Sequence, residues 1–253
     1  MQNFLIYKLK YGFKGFMKNK VLFLKFYEVR FMKRTFLALL AAIMLFSTVP
    51  AAAATKQDNG ETVSAATEVL SGYGIVTGDE YGYRFDDNIT RAETAALICR
   101  MQGIGEQNGA KSMNFTDVPA DHWAAGYINV AAQLGIINGY EDGSFHPDEN
   151  ITNNEAAKMF ISLLGYDPYA EENGGFPMGY EQAARRTGLL AKVGTYNGEE
   201  TGTRENVFIM AFNALDIPLM EQVSFGAGLS YQIKDGQNGV EYKTLRSSIF
   251  ETE

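Results

Sequence analysis

A chain of 253 residues, 46% hydrophobic and 21% charged, has the composition of one or two globular domains. The formal net charge of -8 hides an asymmetry: nine basic residues and one acidic residue precede Thr35, and the remainder carries 13 basic and 29 acidic residues, a net of -16. A body that acidic, with no basic run or basic-aromatic stripe after Thr55, argues against nucleic acid or anionic lipid as partner, and the one cysteine, Cys99, rules out an internal disulfide.

Met32-Lys33-Arg34, the apolar run Phe36 to Phe46 and the small residues Ala51 to Ala54 follow one another as in a signal peptide, residues 32–54, with cleavage near Ala53 or Ala54. The run is short for a membrane span, which needs about 20 residues, so no membrane association is expected after cleavage; an uncleaved anchor is the alternative. Residues 1–31 are basic and aromatic. Either Met32 is the true initiator or this stretch is a long n-region removed with the signal.

Thr55 to Gly60 reads as a polar leader. Glu61 to Tyr73 is a helix candidate with Val63, Ala66, Val69 and Leu70 on one side, and Gly74 ends it. Ile75-Val76 is short and buried, and Gly78 to Asn88 is a loop rich in Gly, Asp and Tyr. Thr90 and Glu93 have capping-box spacing and begin a second helix, on which Cys99 packs as a small apolar residue. Linkers are expected at Gly105 to Asn114 and at Asp167 to Gly175. Between them, Tyr127 to Leu134 leads to Gly135-Ile136-Ile137-Asn138-Gly139, and Thr152 and Glu155 repeat the capping box. Beyond the second linker, Thr203 is followed at that spacing by Asn206, a weaker box, before the apolar stripe Val207, Met210, Ala211, Ala214 and Leu215. Val223 to Phe250, with short alternating runs such as Val240 to Leu245, is a small hairpin, a flexible tail or the opening of a further domain.

The chain therefore repeats. Gly74-Ile75-Val76-Thr77-Gly78 matches Gly135 to Gly139, and Ile89-Thr90-Arg91-Ala92-Glu93 matches Ile151-Thr152-Asn153-Asn154-Glu155. A worn third copy keeps Gly188-Leu189-Leu190 and Thr203-Arg204-Glu205 but shows nothing like His122-Trp123. The units span residues 60–104, 114–166 and 176–220, with 221–253 as a tail. Each reads as helix, loop, helix and is too small to be stable alone, so the three should share one core in a mainly α fold.

Phe115-Thr116-Asp117-Val118-Pro119, His122-Trp123-Ala124, Asp142-Gly143-Ser144-Phe145-His146-Pro147 and the Gly-x-x-x-Gly and Thr-Arg-Ala-Glu motifs already quoted resemble the S-layer homology (SLH) family. The resemblance implies three tandem repeats in a pseudo-threefold arrangement, the third degenerate, with grooves between neighbours. It also implies a non-enzymatic module at the cell surface that binds secondary cell-wall polysaccharide, often pyruvylated, and tethers a secreted bacterial protein. Other surface-layer proteins are possible further partners, and no cofactor is implied.

The implied binding residues are Arg91, Asp117, Trp123, Gly139 and Arg204. The helix N-terminus at Thr90 has the polarity of an anion site, and an arginine in its first turn adds a fork of donors for a carboxylate. Trp123 suits stacking on a sugar face or anchoring in the core. Asp117 could accept from a sugar hydroxyl or from backbone N–H groups; Gly139 could admit a sugar or serve a positive φ. The family pattern pairs Arg91 with Asp117 and Trp123 in one complete groove. Asn153 stands where the second repeat's arginine belongs, and Arg204 lacks an obvious Asp or Trp to face, so one strong site is expected.

Two other readings are open. Asn138, Asp142, Gly143 and Glu149 occupy positions 1, 5, 6 and 12 of a calcium loop, but Tyr140 and Pro147 interrupt it. A purely structural or oligomerising module is the second. Catalysis has little support: with only His122 and His146 there is no nucleophilic Cys-His pair and no His-Glu-x-x-His motif.

Overall fold

The computed structural model describes residues 60–105, 115–222, 231–233 and 243–250. The extension 1–31, the signal segment 32–54, most of the first linker and Val240 to Tyr242 lie outside the described residues. Everything described belongs to one compact unit, Lys56–Glu253.

Helix α1 (Gly60–Gly72) buries Val63, Ala66, Thr67 and Leu70, one stripe at helical spacing, and the chain turns away at Gly74 with φ +70°. Helix α2 (Arg91–Met101) starts in a complete capping box: Glu93 N–H donates to Thr90 Oγ1 at 3.1 Å and Thr90 N–H to Glu93 Oε2 at 2.9 Å. Helix α3 (Ala125–Gln133) has no side-chain cap, whereas α4 (Asn153–Leu163) repeats the box through Thr152 and Glu155. The stretch Asp167 to Gly175, expected as a linker, contains helix α5 (Asp167–Glu172), with Pro168 in its first turn where a missing N–H costs nothing. Helix α6 (Met178–Thr187) stops at Gly188, φ +86°, and α7 (Arg204–Ala214) begins at Thr203, which caps Asn206 N–H without a return bond. Strands β1 (Met220–Gln222) and β2 (Tyr231–Ile233) pair antiparallel, and a π-helical turn covers Arg246–Phe250.

The helices pack out of sequence order. α1 lies against α7, α3 against α2 and α6 against α4, while α4 also touches both α2 and α7. Each leading helix thus covers the capped helix of the unit before it, and α1 covers that of the last. Phe145, Phe160, Phe208, Ile98, Ile128 and Leu164 are fully buried in the shared core.

The capped helix starts interlock the same way. Arg91 and Ala92 N–H donate to Glu149 and Pro147 carbonyls, both at 2.9 Å. Asn153 and Asn154 donate to Glu200 and Gly198 at 2.9 and 3.0 Å, and Arg204 and Glu205 donate to Asp87 and Phe85 at 2.8 and 3.0 Å. With the caps, all four N–H groups left over at the starts of α2 and α4 are engaged, and three at the start of α7. The expectation of an open anion site in the first turn at Thr90 is therefore corrected: loop carbonyls of the next unit already fill it.

Side chains close the same ring. Arg91 Nη1 meets Glu155 Oε1 at 2.9 Å, and Arg204 Nη1 meets Glu93 Oε1 at 2.7 Å. At the third junction the Arg–Glu pair is replaced by two amides, Asn206 Nδ2 donating to Asn153 Oδ1 at 3.4 Å. The C-terminal segment then binds the end of α7 to the end of α1. Arg246 Nε and Nη2 donate to Asp216 at 2.7 and 2.8 Å, its Nη1 to the Tyr73 hydroxyl at 3.0 Å, and Phe250 stacks on Tyr73.

Candidate functional site

Two grooves are built to one plan. The first lies along α2 and has a cavity volume of about 230 Å³. Its floor is the Ile75-to-Gly78 turn, with Glu93, Leu97 and Arg100 on one wall; Arg204 arrives from α7 and Trp123 from the segment before α3. The second lies along α4, with a volume of about 140 Å³. Its floor is Ile136 to Gly139, its wall Glu155, Lys158 and Met159, with Arg91 from α2 and Phe176 from the segment before α6. Each groove is thus lined from three separate stretches of the chain.

This arrangement corrects the expected pairing. Trp123 lines the groove of Arg204, and Arg91 lines the other with Phe176. Phe176 is the residue the sequence reading missed. It stands two positions before α6 as Trp123 stands two before α3, and the rings are 49% and 53% exposed. That common distance from a helix start was the available signal, hidden by the change of ring type. The tryptophan is no core anchor. His122 steadies the turn beneath it, its Nδ1 accepting from Ala124 N–H at 3.1 Å.

The two arginines are held alike. Arg91, 5% exposed, donates Nε to the Phe145 carbonyl at 2.8 Å, and its guanidinium carbon lies 5.0 Å from the Tyr140 ring centre. Arg204 donates Nε to the Tyr83 carbonyl at 2.9 Å and lies over Phe208. Nε and Nη1 are thus fixed by protein, and each arginine lines its groove. Tyr140 donates its hydroxyl to Glu155 at 3.0 Å; burial and that carboxylate raise its pKa.

Asp117 supports the frame. Its carboxylate accepts Phe145 N–H at 2.8 Å and His146 N–H at 2.7 Å, fixing the carbonyl that holds Arg91. Burial raises its pKa, but those two N–H groups outweigh it and hold the carboxyl below its ordinary range. Gly139 has neither a positive φ nor open space beside it: a Cβ would collide with the Phe115 ring and the Ser144 carbonyl. The calcium-loop frame does not converge. Asp142 Oδ1 accepts from Ser144 N–H and Oγ at 3.0 and 2.6 Å, and Glu149 turns to His146 at 3.4 Å. Among the described residues no group of three or more metal-ligating side chains is gathered. Cys99 is sealed against the Tyr127 carbonyl, and burial pushes its thiol up to about 12.

Residues 114–157 match the family model of the S-layer homology domain. The middle cell wall protein of Brevibacillus brevis is 36% identical over 202 residues, 78% of this chain and 19% of that protein. The surface layer protein of Brevibacillus choshinensis is 32% identical over 218 residues, 82% of this chain and 19% of that protein. The exoglucanase XynX of Acetivibrio thermocellus is 36% identical over 111 residues, 42% of this chain and 10% of that protein. The chain spans about a fifth or less of the length of these relatives.

Proposed function

Because the chain carries an S-layer homology domain and is homologous to S-layer proteins, we propose that its three units are SLH repeats forming a wall-anchoring module. It binds secondary cell-wall polysaccharide, pyruvylated at some sugars, and tethers a surface protein without a covalent link. The same similarity in two wall proteins and an exoglucanase, a tenth to a fifth of each, suits a portable tether better than a catalytic unit.

The observation that carries this reading is the duplicated groove. An exposed aromatic ring, an arginine and a backbone turn converge twice from three separate stretches of the chain. A ring offers a flat apolar face to a pyranose, and a guanidinium donates to a carboxylate or hydroxyl. The groove of Trp123 and Arg204 is the roomier and takes the main share of binding. Sedimentation of the secreted chain with purified wall sacculi tests this. Trp123→Ala should remove most of the binding and Phe176→Ala a smaller part, both leaving the fold intact. Undiminished sedimentation of the double variant would overturn the reading.

A further inference from the structure

The charge that Arg91 and Arg204 bring to the grooves is already cancelled. Glu155 neutralises Arg91 in a pair whose side chains are 6% and 22% exposed, and Glu93 neutralises Arg204 with 11% and 31% exposed. A guanidinium can still orient a ligand, but a neutralised pair distinguishes a charged sugar from an uncharged one only weakly.

One other cation faces each groove with no carboxylate partner among the described residues. In the α4 groove it is Lys158, whose ammonium sits 5.5 Å from the Phe176 ring centre and 5.6 Å from that of Tyr180. In the α2 groove it is Arg100, whose guanidinium lies 5.4 Å from the Tyr127 ring centre and reaches the Ile75 carbonyl only at 3.5 Å. Arg84, Arg185 and Arg246 hold carboxylates, and the exposed Arg186 and Lys192 face water; Lys158 and Arg100 are half-buried and have neither recourse in full.

The two cations are not equivalent. Aligning Thr90 with Thr152 places Ala96 at the position of Lys158 and Ser162 at the position of Arg100. The charge has moved along the helix by one turn, roughly 6 Å. It has also changed from a compact ammonium to a planar fork.

We infer that Lys158 and Arg100 are the specificity-determining cations of two non-equivalent grooves, each reading the carboxylate of an acidic sugar at a depth one helical turn apart. The inference rests on the glycan-binding reading above. Since the two cations read the carboxylate at different depths, the grooves accept different placements of the acidic residue along a glycan. The neighbouring rings supply the rest of the contact and hold each cation by cation–π attraction until a ligand arrives.

The probe is wall polysaccharide purified from the producing cells, intact and after removal of its pyruvyl groups, titrated calorimetrically into the secreted chain. Trp123→Ala confines binding to the α4 groove; adding Lys158→Gln should then weaken binding of the intact polymer about tenfold or more. The stripped polymer should bind both variants equally. Arg100→Gln on a Phe176→Ala background should behave the same way in the α2 groove, and Lys158→Arg should restore part of the lost affinity. No change with the intact polymer, or equal losses with both polymers, overturns the inference. A wild-type chain that binds both polymers equally also overturns it but leaves the groove reading standing. A wild-type chain that binds neither overturns both.

Discussion

Arg91 shows how position decides what a residue can do. As the first residue of α2 its side chain meets no intrahelical partner, because the acidic residue of that turn, Glu93, is committed to the cap and to Arg204. Its guanidinium crosses instead to the neighbouring unit and is buried against Glu155, Phe145 and Tyr140. Removing one member of a buried pair leaves an uncompensated charge and costs about 3–5 kcal/mol. Arg91→Ala is therefore expected to lose about 3 kcal/mol in urea unfolding. Trp123→Ala should stay within about 1 kcal/mol, since the ring is 53% exposed. A binding loss in Arg91→Ala would thus mix damage to the frame with loss of a groove contact, and the aromatic variants are the cleaner probes. Equal stability of the two variants would show that the Arg91–Glu155 pair contributes little. Gly139 carries the same lesson: a Cβ at this position would run into the Phe115 ring.

At the scale of elements, what was legible in the sequence was local. Thr90 with Glu93 and Thr152 with Glu155 announced two helix starts because a cap is chemistry within four residues. Thr203 with Asn206 announced a third with one arm missing, as found. Loss of a full box costs about 1–2 kcal/mol, so Thr90→Ala should lower thermal stability more than Thr203→Ala, whose cap makes one bond instead of two. Scanning calorimetry of both variants checks the order. Helix α5 was missed because Asp167 to Gly175, rich in Gly, Asn and Glu, reads as a linker, although Pro168 in a first turn is also how helices begin. The exchange of partners between units could not be read at all. Nothing in the local spacing says that Phe85, Pro147 or Gly198 will accept from a helix start that belongs to another unit. Arg91, Trp123, Gly139 and Arg204 all line a groove, but the sequence reading set Trp123 beside Arg91, whereas it shares its groove with Arg204.

Across the whole molecule, the closing contact is made by the segment furthest along the chain. Leu245 is 1% exposed, Ile249 and Phe250 pack on the core, and Arg246 joins Asp216 to Tyr73. A chain ending at Tyr242 would lose that apolar cover, worth about 1.5–3 kcal/mol for a fully buried leucine alone. It should melt at a lower temperature while retaining its helices, as circular dichroism would record; an unchanged midpoint would show that the segment is only decoration. The interlocked helix starts reach further. Since every unit donates to one companion and accepts from another, there is no place to cut the array that leaves satisfied ends. A protein shortened to two units would carry a vacant set of carbonyls at one edge and idle amides at the other. It would seek its missing companion in a second molecule, so that loss of one capped helix would turn a closed ring of contacts into an open-ended polymer.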